Sequence, residues 1–323
     1  MTSILVTGGA GYIGSHTCKA LAARGFTPVV FDNLYRGHAD FARWGPLVVG
    51  DILDSNAVNE AFARYRPEAV IHFAGLAYVG ESFSVPLSYY KTNVSGLVCV
   101  LDAMVRNGTS KIVFSSSCTT YGIPDRVPIP ETAPQQPISP YGRSKLICEQ
   151  MLRDTAVAHN FRFAIFRYFN ASGADSSGLL PERHDPETHL IPLAIDAAIG
   201  NGPPLQVFGT DYPTQDGTCE RDFIHVTDLA SAHVEALSCL ADGASSFELN
   251  LGTGKSHSVR QVIDAIERVV GKPVPTIWAA RRAGDPPSLF ADVTTAQRLL
   301  GFKPQYSELE TIVETAWRSR RNS

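Results

Sequence analysis

Residues 7–14 read Thr-Gly-Gly-Ala-Gly-Tyr-Ile-Gly, and this stretch decides the fold. It follows a short apolar run and opens a helix-like segment, with glycines at positions 8, 11 and 14. Glycines at such a turn let the backbone approach a pyrophosphate, and the N–H groups and dipole of the helix N-terminus favour its negative charge. A tight strand-to-helix turn without a ligand is the alternative explanation of the glycines alone.

Outward from this turn, strand-like and helix-like segments alternate. Apolar, strand-like runs occupy 4–6, 28–31, 47–49, 70–73, 111–115 and 163–166, and helix-like runs end near 24 or span 56–65, 94–106 and 141–159. Nearly continuous apolar strands are typical of parallel strands covered on both faces. The sequence therefore predicts an α/β fold with a doubly wound parallel sheet, a Rossmann-type domain, over residues 1–169.

The second half is interrupted repeatedly by proline, and residues 171–188 are rich in Ser, Gly, Pro and charge. We expect 171–188 to be a loop that leads into a smaller C-terminal α/β substrate-binding domain. This domain is predicted to span residues 170–323, with parts of the chain returning to the first domain.

Composition excludes several classes of protein. The 323 residues carry a formal net charge of −4, which argues against binding to a nucleic-acid backbone. An apolar run of about 18 residues, as a membrane span requires, is not found in the sequence. The six cysteines form no CxxC pair, so neither a disulfide framework nor a cysteine zinc site is predicted. A soluble, cytoplasmic protein is expected.

Acidic side chains follow the second and third predicted strands. Asp32 lies 24 residues after Gly8, where a carboxylate accepts hydrogen bonds from a ribose diol and repels a 2′-phosphate. It therefore predicts NAD rather than NADP, with Arg36 in the next loop as the weaker, opposing signal. Asp51 is placed to meet the adenine amino group, although a helix N-cap near Asp54 explains the same stretch equally well.

The pattern Tyr141-Gly-Arg-Ser-Lys145 places a phenol and an ammonium on one helix face. An ammonium about 4 Å away, at an effective dielectric of about 20, favours the phenolate by about 4 kcal/mol, or about 3 pKa units. Burial of the tyrosine opposes this effect. We predict Tyr141 as a general base and Lys145 as the charge that assists it.

Polar residues at other strand ends are further candidates. Of the serines at 115–117, Ser117 is predicted to hydrogen-bond the sugar oxygen and to relay its proton towards Tyr141. A serine hydrolase is excluded because the sequence has no G-x-S-x-G motif. A metal site from His184, Asp185, Glu187 and His189 is not predicted, because the stretch is loop-like and bordered by prolines.

Together these motifs resemble the extended short-chain dehydrogenase/reductase family. The resemblance is carried by TGGAGYIG (7–14), GDI (50–52), FAGL (73–76), SSS (115–117), YGRSK (141–145) and RYFN (167–170). Three later stretches are similar to the UDP-glucose 4-epimerase family within it, namely 208–230, NLGTG (250–254) and RRAGDPPSLFAD (281–292). The match covers nearly the whole chain.

This resemblance implies an NAD-dependent isomerase that oxidises and re-reduces carbon 4 of a UDP-linked hexose. It implies Tyr141, Lys145 and Ser117 as the catalytic residues. The residues implied to bind NAD are Gly8, Gly11, Tyr12, Ile13, Gly14, Asp32, Asn33, Leu34, Tyr35, Arg36, Gly37, Asp51, Ile52, Phe73, Ala74, Gly75, Leu76, Ala77, Asn93, Ser117, Tyr141, Lys145 and Phe169. Those implied to bind the UDP-sugar are Ser117, Tyr141, Asn170, Leu190, Phe208, Arg221, Arg282, Asp285 and Leu289.

Departures from the family pattern refine these expectations. Ala77 stands where some members carry lysine, and His189 precedes Leu190 where the pattern can have asparagine. Leu289 is intermediate in size between the aromatic residue that is associated with plain hexoses at this position in the family and the small residue associated with N-acetylhexosamines. Cys118-Thr119 replaces the Asp-Glu pair of related dehydratases, so elimination of water is not expected.

The residues leave several alternatives open. The substrate can be another UDP-sugar, namely an N-acetylhexosamine, a pentose or a uronate. A non-catalytic NAD-sensing regulator on the same fold is a rival from another class. A homodimer through the helix-like runs 94–106 and 141–159 is implied by the resemblance, whereas the same apolar residues are equally suited to an internal core.

Overall fold

A computed structural model describes residues 2–282 and 285–321 of the chain. The elements up to Tyr168 are β1 (Ser3–Thr7), α1 (Tyr12–Ala23), β2 (Thr27–Asp32), β3 (Leu47–Val49), α2 (Ser55–Tyr65), β4 (Ala69–His72), α3 (Val79–Ser84), α4 (Pro86–Tyr89), α5 (Gly96–Asn107), β5 (Lys111–Ser117), α6 (Pro140–His159) and β6 (Arg162–Tyr168). The later elements are β7 (Asn170–Ser172), α7 (Leu190–Ile199), β8 (Leu205–Phe208), β9 (Glu220–Arg221), β10 (Phe223–His225), α8 (Val226–Ala241), β11 (Phe247–Leu251), β12 (His257–Ser258), α9 (Val259–Val270), β13 (Thr276–Ala279), β14 (Ser288–Leu289), α10 (Thr294–Leu300) and α11 (Leu309–Arg321).

A seven-stranded sheet has the order β11-β6-β5-β4-β1-β2-β3. Each pairing from β3 through β6 is parallel, and Val6 of β1 lies between Val30 of β2 and Ile71 of β4. The order reverses on either side of β1, which is the arrangement of a doubly wound sheet. The predicted fold class is therefore confirmed.

Local sequence explains where the helices of this sheet begin. Asp54 caps α2, since its side chain accepts hydrogen bonds from the N–H groups of Asn56 and Ala57. Ser139 caps α6 in the same way, and Pro140 occupies the first turn, where its missing N–H costs nothing. The run predicted as one helix over 94–106 begins earlier, because a π-helical turn at Tyr90–Ser95 leads directly into α5.

The chain divides into two compact units. One takes in the described residues of Met1–Gly122, Pro134–Tyr168 and Leu229–Leu249, and the other those of Ile123–Ala133, Phe169–Asp228 and Asn250–Ser323. We call these the sheet unit and the second unit. The core of the sheet unit joins β-strand residues such as Val70 and Phe114 to Leu101 of α5 and Leu152 of α6.

The second unit contains three small sheets, with the strand orders β10-β7, β12-β9-β14 and β13-β8. Its core joins Ile195 of α7, Ile266 of α9 and Ile312 of α11. Ser258 and Gln261 form a reciprocal capping box at the start of α9. Among the described residues, no helix combines the length and the apolar character that crossing a bilayer requires.

Candidate active site

The glycine turn between β1 and α1 is closed tightly enough to exclude side chains. A Cβ added at Gly14 would lie 2.2 Å from the carbonyl oxygen of Gly8, and one added at Gly8 would lie 2.6 Å from the backbone nitrogen of Ala74. At Gly11, in contrast, the nearest atom would be 3.2 Å away, and this N-cap residue provides no side-chain cap. The turn thus leaves the N-terminus of α1, with Tyr12 and Ile13 in its first turn, open to an anion.

Asp32 ends β2 and is held in place by backbone donors. Its Oδ2 accepts from the N–H of Ala10 at 3.0 Å and its Oδ1 from the N–H of Leu34 at 2.9 Å. A carboxylate has about four acceptor positions, so capacity for a ribose diol remains. Gly37 is tight against this carboxylate, since an added Cβ would lie 2.7 Å from Oδ1. Burial raises the pKa of Asp32 above its ordinary value, although these two hydrogen bonds and His38 lower it.

The neighbouring loops bear on two alternatives that the sequence left open. Asp54, not Asp51, caps α2, while Asp51 accepts from the N–H of Leu53 at 2.8 Å and from the amide of Asn33 at 3.0 Å. Arg36 is engaged with Glu81 at 2.9 Å and lies over the ring of Tyr78 at 4.5 Å. Arg36 is therefore not placed to bind a 2′-phosphate in this arrangement, and this favours NAD over NADP.

The loop after β4 is bound to a buried amide. Asn93, in the π-helical turn, accepts from the N–H of Leu76 at 2.8 Å and donates to the Leu76 carbonyl at 3.0 Å. Its other donor contacts the hydroxyl of Ser144 at 2.9 Å, on the helix that carries Tyr141. Both N–H groups of Asn93 are thus used within the protein. The side chain positions the 73–77 loop, and only acceptor capacity is left for a cofactor.

Tyr141 and Ser117 lie together at the carboxyl end of β5. Ser117 accepts hydrogen bonds from the N–H of Thr119 at 3.2 Å and from its hydroxyl at 3.0 Å. A serine hydroxyl has two acceptor positions and one donor, so its own O–H remains for Tyr141. Burial raises the pKa of Tyr141 to about 12, although hydrogen bonding to Ser117 opposes the rise. The phenol is therefore mostly protonated near neutrality in this state.

Lys145 is placed differently from the sequence-based expectation. Its Nζ donates to the carbonyl of Ser115 at 2.7 Å and lies 5.9 Å from the centre of the Tyr141 ring. Burial lowers the pKa of Lys145 to about 8, although Cys148 and Glu149 oppose this. Desolvation of the phenol is thus the largest influence on the pKa of Tyr141 in this state, and the role of Lys145 as the assisting charge stays a prediction.

A buried ionic network lies behind these residues, and the sequence analysis missed it. Glu149, which is fully buried, accepts from the hydroxyl of Ser116 at 2.5 Å and from Nη2 of Arg167 at 2.6 Å. Arg167 also contacts Glu248, which pairs with Arg153 at 2.6 Å. The network joins α6 to β5, β6 and β11, so it fixes the strand end that carries Ser117. The sequence signal that could have revealed the network was a glutamate four residues after Lys145, on the same face of the helix.

In the second unit, Arg221 and Asp285 form an ion pair beside Leu289. The Nη2 of Arg221 contacts Oδ1 of Asp285, and its Nη1 donates to the carbonyl of Pro286 at 3.0 Å. Leu289 is the neighbour of Arg221 across the β9–β14 pairing. The fold therefore brings Arg221 together with two other predicted substrate residues, Asp285 and Leu289, of which Asp285 is 64 positions away in sequence.

Arg282 stacks on Phe208, with its Cζ atom 3.9 Å from the ring centre. Burial raises the pKa of the Cys219 thiol, and the nearby charges of Arg221, Asp285 and Arg282 also act on it. Tyr212 also belongs here and was not predicted. Its buried hydroxyl has no hydrogen-bond partner among the described residues. Residues 283–284 of the predicted 281–292 stretch lie outside the described residues.

The remaining predicted residues of the second unit lie on other elements. Asn170 donates to the carbonyl of Asp222 at 2.9 Å, Leu190 is the first residue of α7, and Phe169 is buried with its N–H bound to the Leu251 carbonyl at 3.2 Å. The cluster around His184 differs from the sequence-based grouping. The structure brings Glu182, rather than Asp185, together with His184, Glu187 and His189.

Comparison with known proteins agrees with this architecture. Residues 4–252 match the model of the NAD dependent epimerase/dehydratase family. The chain is 52% identical over 322 residues to the UDP-glucose 4-epimerase of Rhizobium meliloti (strain 1021), covering 99% of this chain and 98% of that protein. The resemblance drawn from the sequence motifs is thereby confirmed.

Solved structures give the same result. The UDP-glucose 4-epimerase from Brucella ovis in complex with NAD is 54% identical, with a TM-score of 0.97 and 98% coverage of each chain. The UDP-glucose-4-epimerase from Stenotrophomonas maltophila, with bound NAD and formylated UDP-arabinopyranose, is 42% identical, with a TM-score of 0.96. The alignment with that protein covers 100% of this chain and 98% of the other.

Proposed function

The chain belongs to the NAD-dependent epimerase/dehydratase family, and from this premise we propose that it interconverts UDP-glucose and UDP-galactose as an isomerase. The observation that carries the proposal is the buried Tyr141 phenol, whose pKa burial raises and the nearby Ser117 hydroxyl lowers, in a chain that matches UDP-glucose 4-epimerases over nearly its full length. A non-catalytic regulator has no use for this arrangement.

NAD is the cofactor, and when bound it supplies a hydride acceptor at carbon 4 of the hexose together with a positive charge on its ring. The turn at Gly8, Gly11 and Gly14 would hold its pyrophosphate and Asp32 a ribose. The other residues proposed to contact it are Tyr12, Ile13, Asn33, Leu34, Tyr35, Arg36, Gly37, Asp51, Ile52, Phe73, Ala74, Gly75, Leu76, Ala77, Asn93, Ser117, Tyr141, Lys145 and Phe169.

Tyr141 takes the proton from the sugar hydroxyl directly. Both acceptor positions of Ser117 are occupied by Thr119, so this serine stabilises the phenolate by donation rather than passing a proton along. With a pKa of about 12 in this structure, the phenol depends on positive charge to work as a base near neutrality. Lys145 contributes part of that charge while its own proton is present.

The second unit supplies the anchor for UDP. Arg221 and Arg282 suit a diphosphate because guanidinium groups form bidentate, charge-assisted hydrogen bonds. Phe208 suits the flat face of uracil, and Asp285 suits a ribose hydroxyl. Asn170, Leu190 and Leu289 are proposed to complete the substrate contacts. Firm contacts to UDP and weak contacts to the sugar allow the 4-keto sugar to rotate and present its other face.

Residue 119 separates this reaction from dehydration. Elimination of water needs a carboxylic acid at this place, whereas Thr119 offers a hydroxyl that is already bound to Ser117 at 3.0 Å. A neutral hydroxyl is a weak acid, so the 4-keto sugar is re-reduced instead.

The experiment incubates the purified chain with UDP-galactose, without added cofactor, and identifies products by NMR. UDP-glucose is expected. The Tyr141→Phe variant should lose about 10²- to 10⁴-fold in kcat while UDP-sugar binding survives. Tyr65→Phe, on α2, is the matched control and should retain activity. Wild-type turnover by the Tyr141 variant would remove the tyrosine from the mechanism, and no turnover of any UDP-sugar despite bound NAD would favour a regulator.

A pentose substrate is the second candidate, because the Stenotrophomonas protein is described with formylated UDP-arabinopyranose bound. The same assay with UDP-arabinopyranose and UDP-N-acetylgalactosamine separates the candidates. A higher kcat/KM for either sugar than for UDP-galactose would reassign the substrate.

We also propose a homodimer. Apolar side chains on α3, α4, α5 and α6 are exposed, including Phe83 (60%), Leu87 (81%), Val98 (49%) and Val157 (90%). Light scattering coupled to gel filtration tests this, and a monomer at micromolar concentration would refute it. A cytoplasmic location stays a prediction.

A further inference from the structure

Four potential metal ligands converge in the segment between β7 and α7. Nδ1 of His184 lies 3.6 Å from Oε1 of Glu182 and 3.6 Å from Oε2 of Glu187. Nδ1 of His189 lies 3.1 Å from Oε1 of Glu182 and 2.9 Å from Oε1 of Glu187. One donor atom from each residue lies within 4.8 Å of all the others.

These separations match those of a tetrahedral site. Zinc binds imidazole nitrogen and carboxylate oxygen at about 2.0–2.1 Å, so neighbouring ligand atoms of a tetrahedral centre are about 3.3 Å apart. The four observed nitrogen-to-oxygen distances, from 2.9 to 3.6 Å, bracket that value, with Glu187 facing His184 through Oε2 and His189 through Oε1. The imidazole groups also present the same kind of nitrogen, Nδ1, to the two carboxylates.

Glu182 gives an independent indication of a ligand. Its side chain is only 4% exposed, and neither of its carboxylate oxygens accepts a hydrogen bond from the described residues. The 3.1 Å contact to His189 lacks hydrogen-bond alignment. A buried carboxylate without hydrogen bonds is costly unless a cation compensates it. Arg320, a nearby cation, is placed against Glu187 and Asp196 instead.

We propose that Glu182, His184, Glu187 and His189 bind one divalent transition-metal cation of the zinc class. Two imidazoles and two carboxylates are a donor set that such cations accept. Four protein ligands close the coordination sphere, so the site is structural rather than catalytic. His189 is 44% exposed at its side chain, which gives the ion a path from solvent. None of the four donors is among the residues proposed to contact NAD or the UDP-sugar.

The bound cation has a definite mechanical role in the second unit. His189 is the N-cap residue of α7, and its side chain makes no capping hydrogen bond. The cation joins this residue to Glu182, seven positions earlier, across a segment without helix or strand. It therefore fixes the start of α7, whose Ile191 and Ile195 enter the core with α9 and α11.

The rival description is a purely ionic cluster. Burial lowers the pKa of His189, but the two carboxylates raise it to about 10. A protonated His189 would then balance part of the negative charge of these carboxylates. Such a cluster needs no metal and would compete with one for the same atoms, because metal ligation requires neutral imidazole.

The test uses the full chain without an affinity tag, with its cofactor retained, after treatment with a chelator. Cobalt(II) chloride is titrated in and followed by absorption spectroscopy. One equivalent should produce the intense visible ligand-field bands of tetrahedral cobalt, and zinc chloride should displace it. Zinc should also raise the thermal midpoint of the chelator-treated protein, because it binds the folded state.

Variants separate the site from adventitious binding. Glu182→Gln and His189→Gln should each weaken cobalt binding at least ~10-fold, since even outer-shell partners are worth 10–100-fold. Asp185→Asn, in the same segment but outside the four donors, should bind like wild type. The proposal is overturned if cobalt gives no ligand-field bands, if both ligand variants bind normally, or if a thiolate charge-transfer band places the metal on a cysteine.

Discussion

The ammonium of Lys145 donates to the backbone carbonyl of Ser115 at 2.7 Å, so the lysine of the YxxxK pattern is bound to the strand that ends at Ser117. This bond ties α6 to β5 two residues before Ser117. Lys145 therefore has two roles. It contributes charge near Tyr141 and it fixes the distance between the phenol and Ser117.

Replacing Lys145 with methionine should change the pH profile and not only the rate. The ammonium lies 5.9 Å from the centre of the Tyr141 ring, and a unit charge at about 6 Å in an effective dielectric of about 20 is worth roughly 2 pKa units to the phenol. Loss of the charge raises the pKa of Tyr141, so the acid limb of kcat/KM should move to higher pH by about that amount. The alkaline limb near pH 8, where Lys145 loses its proton, should disappear.

Lys91→Met, an exposed lysine of the π-helical turn, is the control and should keep the wild-type profile. A Lys145 variant with lower kcat but unchanged limbs would mean that only the positioning role is real.

Gly14→Ala should abolish retention of NAD. The added Cβ would lie 2.2 Å from the Gly8 carbonyl oxygen, so the turn must open at the place where the pyrophosphate is proposed to bind. Gly80→Ala is the matched control, because nothing lies within 4 Å of its added Cβ and alanine is favoured in a helix. The measurement is the NAD released on denaturation per chain. Equal NAD content in the two variants would contradict the prediction.

Acid should destabilise the protein partly through Glu248. Burial raises the pKa of Glu248, but Arg153 and Arg167 outweigh this effect and hold the pKa below its ordinary value. A carboxyl with a depressed folded-state pKa stabilises the fold above its unfolded pKa, about 4.3, and this contribution is lost as pH falls through the folded value. Glu248→Gln should therefore cost about 1–3 kcal/mol at pH 7 and flatten the acid limb of stability.

Urea unfolding at pH 7 and at pH 3 measures the free energy of unfolding of the Glu248 variant and of the wild type. Glu235→Gln, which removes the partner of the more exposed Arg24, should cost under about 1 kcal/mol and leave the acid limb unchanged. An acid limb that is the same in the Glu248 variant and in wild type would show that other carboxyls are responsible.

Substrate choice should respond to Leu289, the cross-strand neighbour of Arg221. Leu289→Ala should raise kcat/KM for UDP-N-acetylgalactosamine relative to UDP-galactose by about 10-fold, because differences of a few methylenes in a pocket are worth that much. Leu289→Tyr should shift the ratio in the opposite direction. Leu179→Ala, at an exposed leucine, should leave it unchanged. A ratio that does not move in either Leu289 variant would place this side chain away from the sugar.

The sequence by itself determined the parallel sheet, the glycine turn and the shared helix face of Tyr141 and Lys145. These follow from local rules, namely apolar runs of strand length, the absence of a Cβ and the helical repeat. The residues of the ionic network were visible in the sequence, but their pairing was not.

Only the tertiary structure decided the electrostatics. The pKa of Tyr141 depends on how far the fold buries the phenol and on its proximity to Ser117, 24 positions earlier in the sequence. The meeting of Arg221 with Asp285, and of Arg167 with Glu248, likewise depends on chain segments that no spacing rule joins. Desolvation and charge pairing act through distances in space, and folding sets those distances between residues that the sequence keeps apart.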